Sequence, residues 1–312
     1  MAGSLLDVPN LHVGHTSLGD TGVTVIVTPE GATAAVDVRG GGPGTRETDL
    51  LEPHNTVQQV HAVVLSGGSA YGLATADGVM QELESRGIGF RVIEDIIVPI
   101  VPGAVIFDLL VGDPKHRPTA ADGRAAAIAA LDGPADRSSG SVGAGCGATA
   151  GVLRGGFGQA STKVGEYVVA AGVVANPVGA VVDTRNGTLW GADVPPVDLA
   201  AFSRLKPLAT KLNTTIGVIA TNAPVTKQQA KRLAMVGHDG LARAIRPAHS
   251  PLDGDTLFAI STGAASESAL EDMVALSTAA AEVVHMAIID AVTAASPGYG
   301  LTCYRDIAME AP

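Results

Sequence analysis

Cysteine, aromatic and basic residues are all scarce in this 312-residue chain, and each scarcity excludes something. Two cysteines, Cys146 and Cys303, cannot make a disulfide framework, which fits a reducing compartment. Lysine and arginine number 20 against 31 acidic residues, and the resulting net charge of −11 argues against a nucleic-acid partner. Charged residues make up only 16% and hydrophobic ones 46%, which excludes a disordered polymer. Long apolar runs are missing too. The longest, Ile96–Phe107, carries Pro99 and Pro102 and falls short of the roughly 20 residues that a bilayer span needs. Met1–Asn10 shows no basic start leading into an apolar stretch, so no secretory signal is visible. The eight histidines are dispersed, and the His12/His15 pair has no Glu or Cys near it in sequence. The expectation is a soluble, acidic, cytoplasmic protein with no membrane segment, no metal and no cofactor.

Glycine is what the chain has in excess: 39 residues against 3% aromatics, clustered at 40–44, 67–72, 143–151 and 155–158. Such clusters mark tight turns and close backbone packing, because apolar runs sit directly between them. Short β-rich runs at Val23–Val27, Ala34–Val38, Ala62–Leu65, Ala104–Leu110, Tyr167–Ala175 and Ala180–Val182 lack polar alternation, several being apolar on both faces. That predicts strands covered on both sides. Helical spacing predicts helices over Tyr71–Ser85, Thr119–Leu131, Ala223–Ile245 and Ser266–Ala295. Thr119 suits an N-cap and Pro224 a first turn, and Glu267, Glu271 and Asp272 sit near a positive helix end. Length alone suggests about two domains, yet single α/β domains of this size are common. The fold class is α/β.

Three places attract chemical attention. Val194–Asn213 holds three prolines and scattered charge, then stops at Asn213-Thr214-Thr215, directly ahead of the apolar run Ile216–Ala220. From spacing alone this is a surface loop feeding a strand. Asp253-Gly-Asp255-Thr256, just ahead of Leu257–Ile260, places two carboxylates on one side of an extended chain. Two acids so close repel, which predicts a raised pKa on one of them or a basic partner. Asn176-Pro177 ends the Val168–Ala175 run, where an amide can donate to a developing oxyanion or simply start a turn. Gly143–Ala148 has the look of a dinucleotide loop, but four more glycines follow it and no helix does. Ser69 follows two glycines, but Tyr71 breaks the Gly-x-Ser-x-Gly elbow.

Taken together, the fragments resemble the L-aminopeptidase/D-esterase (DmpA-like) family, which includes β-peptidyl aminopeptidases and nylon-oligomer (6-aminohexanoate oligomer) hydrolases. The matching motifs run in family order over nearly the whole chain: Val13-Gly-His15, Val38–Leu50, Leu65–Leu73 with Tyr71, Asp77–Met80, Val142–Gly145, Asn176–Gly179, Asn213–Ile216 and Asp253–Phe258. The resemblance implies a four-layer αββα sandwich of the self-processing N-terminal-nucleophile kind. It implies one domain cut into 1–213 and 214–312, with Asn213-Thr214 as the processing site. Thr214 would be the nucleophile, Asn176 an oxyanion donor, and Asp253 and Asp255 the groups that orient and polarise it. The implied activity is hydrolysis of small peptide or amide bonds through an acyl-enzyme, in a homo-oligomer of processed protomers, a tetramer or octamer.

Two positions depart from the nylon-oligomer hydrolases: Val152 stands where they carry Lys, and Phe107 where relatives often have Tyr. Lys163 is the accessory cation that would then be suspected, and Tyr71 a further accessory. The alternatives are an acyltransferase of the ornithine acetyltransferase kind, whose junction is usually Ala-Thr, and a non-catalytic assembly protein on the same fold.

Overall fold

The computed structural model describes residues 3–94, 96–208 and 212–310; residues 209–211, part of the proline-bearing segment before Asn213, lie outside them. In chain order the strands are β1 (His12–Ser17), β2 (Gly22–Val38), β3 (Thr45–Arg46), β4 (Gln59–Ser66), β5 (Phe90–Ile93), β6 (Ile96–Val98) and β7 (Gly103–Val105). They continue with β8 (Thr149–Ala150), β9 (Leu153–Arg154), β10 (Gly156–Val164), β11 (Tyr167–Ala175), β12 (Ile216–Thr221) and β13 (Thr256–Ser261). The helices are α1 (Thr75–Ser85), α2 (Ala120–Asp132), α3 (Leu199–Phe202), α4 (Lys227–Ala244), α5 (Leu270–Ala294) and α6 (Tyr304–Ile307). One nine-stranded sheet runs β10-β11-β12-β13-β2-β4-β7-β3, with β1 added on β2.

The sheet folds across itself at β2. The runs Val23–Val27 and Ala34–Val38, expected as two strands, are halves of this 17-residue strand. Its register to β4 shifts between Val27 and Ala32. There Gly31 takes φ +82°, a left-handed backbone that glycine adopts without a Cβ clash. The first half pairs with β1, the second with β13.

Three apolar layers result. Val23, Val25, Ala62 and Val64 pack with α1 and α2. Ile26, Val63 and Leu65 meet Val174, Ile216, Val218, Phe258 and Ile260 in a central core. Ala171, Val173, Ile219, Leu257 and Ala259 face α4 and α5. Successive residues of one strand point to opposite faces, so β12 sends Ile216, Val218 and Ala220 inward and Ile219 outward. That is why the central positions of these strands are apolar on both faces, and it makes the architecture αββα.

Helix starts follow caps more than periodicity. α4 begins at Lys227, later than Ala223, because Thr226 and Gln229 form a capping box. Thr119 and Asp122 do the same for α2, and a 3₁₀ turn over Ser69–Ala74 precedes α1. Of the predicted strand Ala104–Leu110 only Ala104 and Val105 fall within β7, and Ala180–Val182 makes isolated bridges to Arg246 and Leu189. α5 is long and apolar enough, by composition, to cross a membrane, with a mean hydropathy of 1.5; Glu282 and Asp290 interrupt its apolar run in sequence. Its Leu276, Val283, Val284 and Ile288 are buried under the sheet and against α4, which makes it a core helix.

The crossover from β12 through α4 returns to β13 as a parallel neighbour, with Ile216 level with Thr256. The three residues before each strand therefore lie side by side, and Asn213 bridges Asp253. On the other flank Val174 of β11 pairs with Ile216, which brings Asn176 to the same end.

Candidate active site

At this end of the sheet the backbone of Asn213-Thr214 is held on every side. Thr214 is 5% exposed. Its N–H donates to the Asn176 carbonyl at 2.7 Å, and its Oγ1 donates to the carbonyl of Asn213 at 2.5 Å. The same Asn213 oxygen accepts the Gly254 N–H at 3.2 Å. A hydroxyl and a backbone donor thus converge on one peptide bond. Gly254 has to be glycine: a Cβ there would lie 2.8 Å from Thr214 Oγ1 and 2.7 Å from Gly42 O.

The two carboxylates flank this bond but diverge. Asp255 Oδ1 accepts the Thr215 N–H at 2.8 Å, while its Oδ2 meets the His249 N–H at 3.1 Å and His249 Nδ1 at 2.8 Å. Asp253 turns the other way, to the Val178 N–H at 3.0 Å and the Ser250 hydroxyl at 2.5 Å. Burial pushes the Asp253 carboxyl up, the bonds from Ser250 and Val178 pull it back, and the Asp255 charge adds a smaller upward push. Burial, more than the expected mutual repulsion, leads the shift, and Asp255 has its basic partner in His249.

Asn176 is fully buried, but its side chain is occupied. Oδ1 accepts the Thr149 N–H at 2.8 Å and Nδ2 donates to Phe107 O at 3.1 Å. Its contact with the Thr214 backbone is through its carbonyl, so the backbone donor on the Asn213 oxygen is Gly254 N–H, not the Asn176 amide. Lys163 is not brought here. It is exposed near the far end of β10, paired with Val168, roughly 20 Å along the strand from Gly156, which pairs beside Asn176. Tyr71 is 58% exposed and lies under the Arg117 guanidinium at 3.7 Å.

Sequence reasoning missed Thr149, His249 and Asp108. Thr149 sits in a glycine-rich stretch with no chemical signature, and yet its carbonyl and hydroxyl face Asn213. Asp108 is buried, accepting the Gly68 N–H and the Thr21 hydroxyl, both at 2.7 Å. Burial, with a contribution from Asp20, pushes its carboxyl up to about 6 against those bonds. Beside Asn213 opens a cavity of about 470 Å³ lined by Val152, Val178, Ala180, Val182, Phe202 and Leu208 among others, with no charged side chain among the described lining residues. Among those residues there is also no cluster of three or more His, Cys, Asp or Glu to hold a metal ion.

Comparison with known proteins fits this geometry. The model of peptidase family S58 matches residues 3–303. A Mycobacterium leprae protein described as an uncharacterized aminopeptidase is 48% identical over 96% of this chain and 93% of its own length. A 6-aminohexanoate-oligomer endohydrolase of Paenarthrobacter ureafaciens is 35% identical over 82% of this chain and 74% of its own. Among solved structures, a Burkholderia sp. beta-aminopeptidase superposes with a TM-score of 0.78 at 24% identity, covering 96% of this chain and 90% of that one. The L-aminopeptidase D-Ala-esterase/amidase of Ochrobactrum anthropi, a variant of the Ntn hydrolase fold, gives 0.76 at 22% identity over 95% and 88%. By the family match, the relatives and the fold, this chain belongs to peptidase family S58 and is a hydrolase of peptide and amide bonds.

Proposed function

We propose that the chain cuts itself between Asn213 and Thr214 and then works as an N-terminal-threonine aminopeptidase or amidohydrolase. The observation that carries this is the Thr214 hydroxyl, 2.5 Å from the carbonyl of the preceding residue, on a carbonyl also held by Gly254 N–H. Attack of Oγ1 on the Asn213 carbonyl carbon develops negative charge on that oxygen, where a preorganised backbone donor lowers the barrier. Protonation of the Thr214 nitrogen breaks the peptide bond and leaves an ester, and water hydrolyses the ester. The Thr214 amine is then free beside the Asn176 carbonyl that already accepts its N–H.

An α-amine with a pKa of about 7.7–8.0 is a competent base near neutral pH. It takes the Oγ1 proton as the hydroxyl attacks a substrate amide, and an acyl-enzyme forms. Asp255 fixes the Thr215 N–H and thereby the orientation of the nucleophile. Val152 and the remote Lys163 leave the amine as the base this site supplies. Asn213 before Thr214, with the aminopeptidase relatives, favours hydrolysis over acetyl transfer; transfer to an amine acceptor would reveal the alternative.

Denaturing electrophoresis and mass spectrometry test the reading. The protein should run as residues 1–213 and 214–312, the smaller piece beginning Thr-Thr-Ile-Gly. Thr214→Ala should stay whole and lose about a thousandfold or more in amidase activity, and Thr214→Ser should still process. Wild-type activity should rise with pH through about 7–8 and lose that limb once the amine is acylated. An unprocessed band at 31.3 kDa in the wild type would favour a non-catalytic assembly protein.

We also infer a homo-oligomer of processed protomers, a tetramer or octamer. Supporting it, the hairpin of β5 and β6 leaves Phe90, Val92, Ile93 and Ile96 at least half exposed, an apolar patch of the kind that marks association surfaces.

A further inference from the structure

In processing, Asn213 supplies the acyl group that Thr214 Oγ1 receives, and every later substrate has to place its own carbonyl at the same spot. What surrounds Asn213 is therefore the acyl pocket, an argument that rests on the reading above. The Asn213 N–H donates to Leu252 O at 3.3 Å. Its side-chain Nδ2 donates to Pro177 O at 2.9 Å, with Thr149 O at 3.3 Å and Thr149 Oγ1 at 3.4 Å. All these Nδ2 partners are oxygens, and the two carbonyls can only accept. A methyl group there removes the side-chain donor and leaves Pro177 O with only the longer Gly151 N–H bond of 3.3 Å, and a carboxylate adds a charge facing lone pairs. The adjoining cavity is lined without a charged side chain among the described residues.

We propose that this cradle, formed by Pro177 O, Thr149 O and Thr149 Oγ1, sets acyl-group specificity. It selects acyl groups that carry an N–H donor as many bonds from the scissile carbonyl carbon as Nδ2 is in Asn213. Two acyl groups share that chemistry. L-Asparaginyl reproduces Asn213, with its free α-amine on Leu252 O. 4-Aminobutanoyl places its terminal ammonium at the Nδ2 position. The amine of a β-alanyl group stops short of the cradle, and that of 6-aminohexanoyl overshoots it. Leucyl and aspartyl groups match asparaginyl in shape but fail in hydrogen bonding.

Kinetics of the cleaved enzyme on a series of p-nitroanilides test this. Asparaginyl should exceed leucyl and aspartyl in kcat/KM by about tenfold or more, or 4-aminobutanoyl should exceed its shorter and longer homologues by as much. The first outcome identifies a peptide substrate, the second an ω-amino amide. Hydrolysis with no preference in either series overturns the cradle and leaves the hydrolase intact. Processing gives an independent readout. Asn213→Leu and Asn213→Asp should both slow self-cleavage by about tenfold. Only Asn213→Asp should recover as the pH is lowered, when its carboxyl gains a proton to donate. Cleavage at the wild-type rate in both variants refutes the proposal. Failure of the hydrolase reading looks different: the wild type stays whole, cleaves none of the anilides, and the cradle falls with it.

Discussion

At the scale of single residues, the site is built from backbone groups as much as from side chains. Gly254 contributes an N–H and the absence of a Cβ, and Asn176 a carbonyl. Asp108 shows how burial tunes a nearby carboxyl. Its folded pKa of about 6 lies above the usual 3.8, so the folded state favours the neutral acid. Its contribution to stability is full below about pH 4 and is lost as pH rises through about 6. Asp108→Asn stays neutral throughout and keeps both contacts if the Thr21 hydroxyl turns to accept. The variant should match the wild type near pH 4 and exceed it above pH 6, by up to about 3 kcal/mol. Urea unfolding at several pH values measures this, with Asp108 and the Asp108→Asn variant compared in the uncut Thr214→Ala chain so that refolding is reversible. A constant difference across the range would show that Asp108 does not titrate as described.

At the scale of elements, packing overrides propensity. Gly240 lies inside α4, where alanine alone would gain about 1 kcal/mol. A Cβ there would sit 2.0 Å from the Ala281 carbonyl of α5, and such overpacking costs roughly 1–3 kcal/mol. Gly240→Ala should therefore lower the thermal midpoint, while a rise would mean that the α4–α5 contact yields easily. The same balance decides what could be read in advance. β11, β12 and β13 were legible because both their faces are covered, so their sequences stay apolar between their ends. β2 read as two strands because Thr28–Gly31 interrupts its apolar run, while the backbone continues through the bulge. Thr214, Asn176, Asp253 and Asp255 drew attention from their own chemistry, but only the family resemblance gave them catalytic roles over ordinary turns and loops. Thr149, His249 and the Gly254 N–H left no trace, because tertiary contacts and not a local pattern place them. The parallel β12–β13 register sets Gly254 against Asn213, side-chain bonds join Thr149 to Asn176 and Asn213, and His249 reaches the site through Asp255.

At the scale of the whole molecule, the apolar β5–β6 hairpin bears on assembly. Light scattering on the processed protein should give a multiple of the protomer mass, and charges placed at Ile93 and Ile96 should reduce it. A monomeric wild type would remove the inferred oligomer.

β12 carries a further consequence. It is hydrogen-bonded to β11 on one side and β13 on the other, so a cut at its head separates nothing in the native state, and size exclusion should not resolve the two chains. The proposed cut would change the reaction order of folding. Uncut Thr214→Ala returns from urea by a unimolecular path, at a rate independent of protein concentration. Once processed, the protein must find its own other piece in solution, without the millimolar effective concentration that a tether provides. Its refolding rate should climb with concentration, and at high dilution its activity should not return. Processing would leave an enzyme that is stable while folded but able to fold efficiently only once.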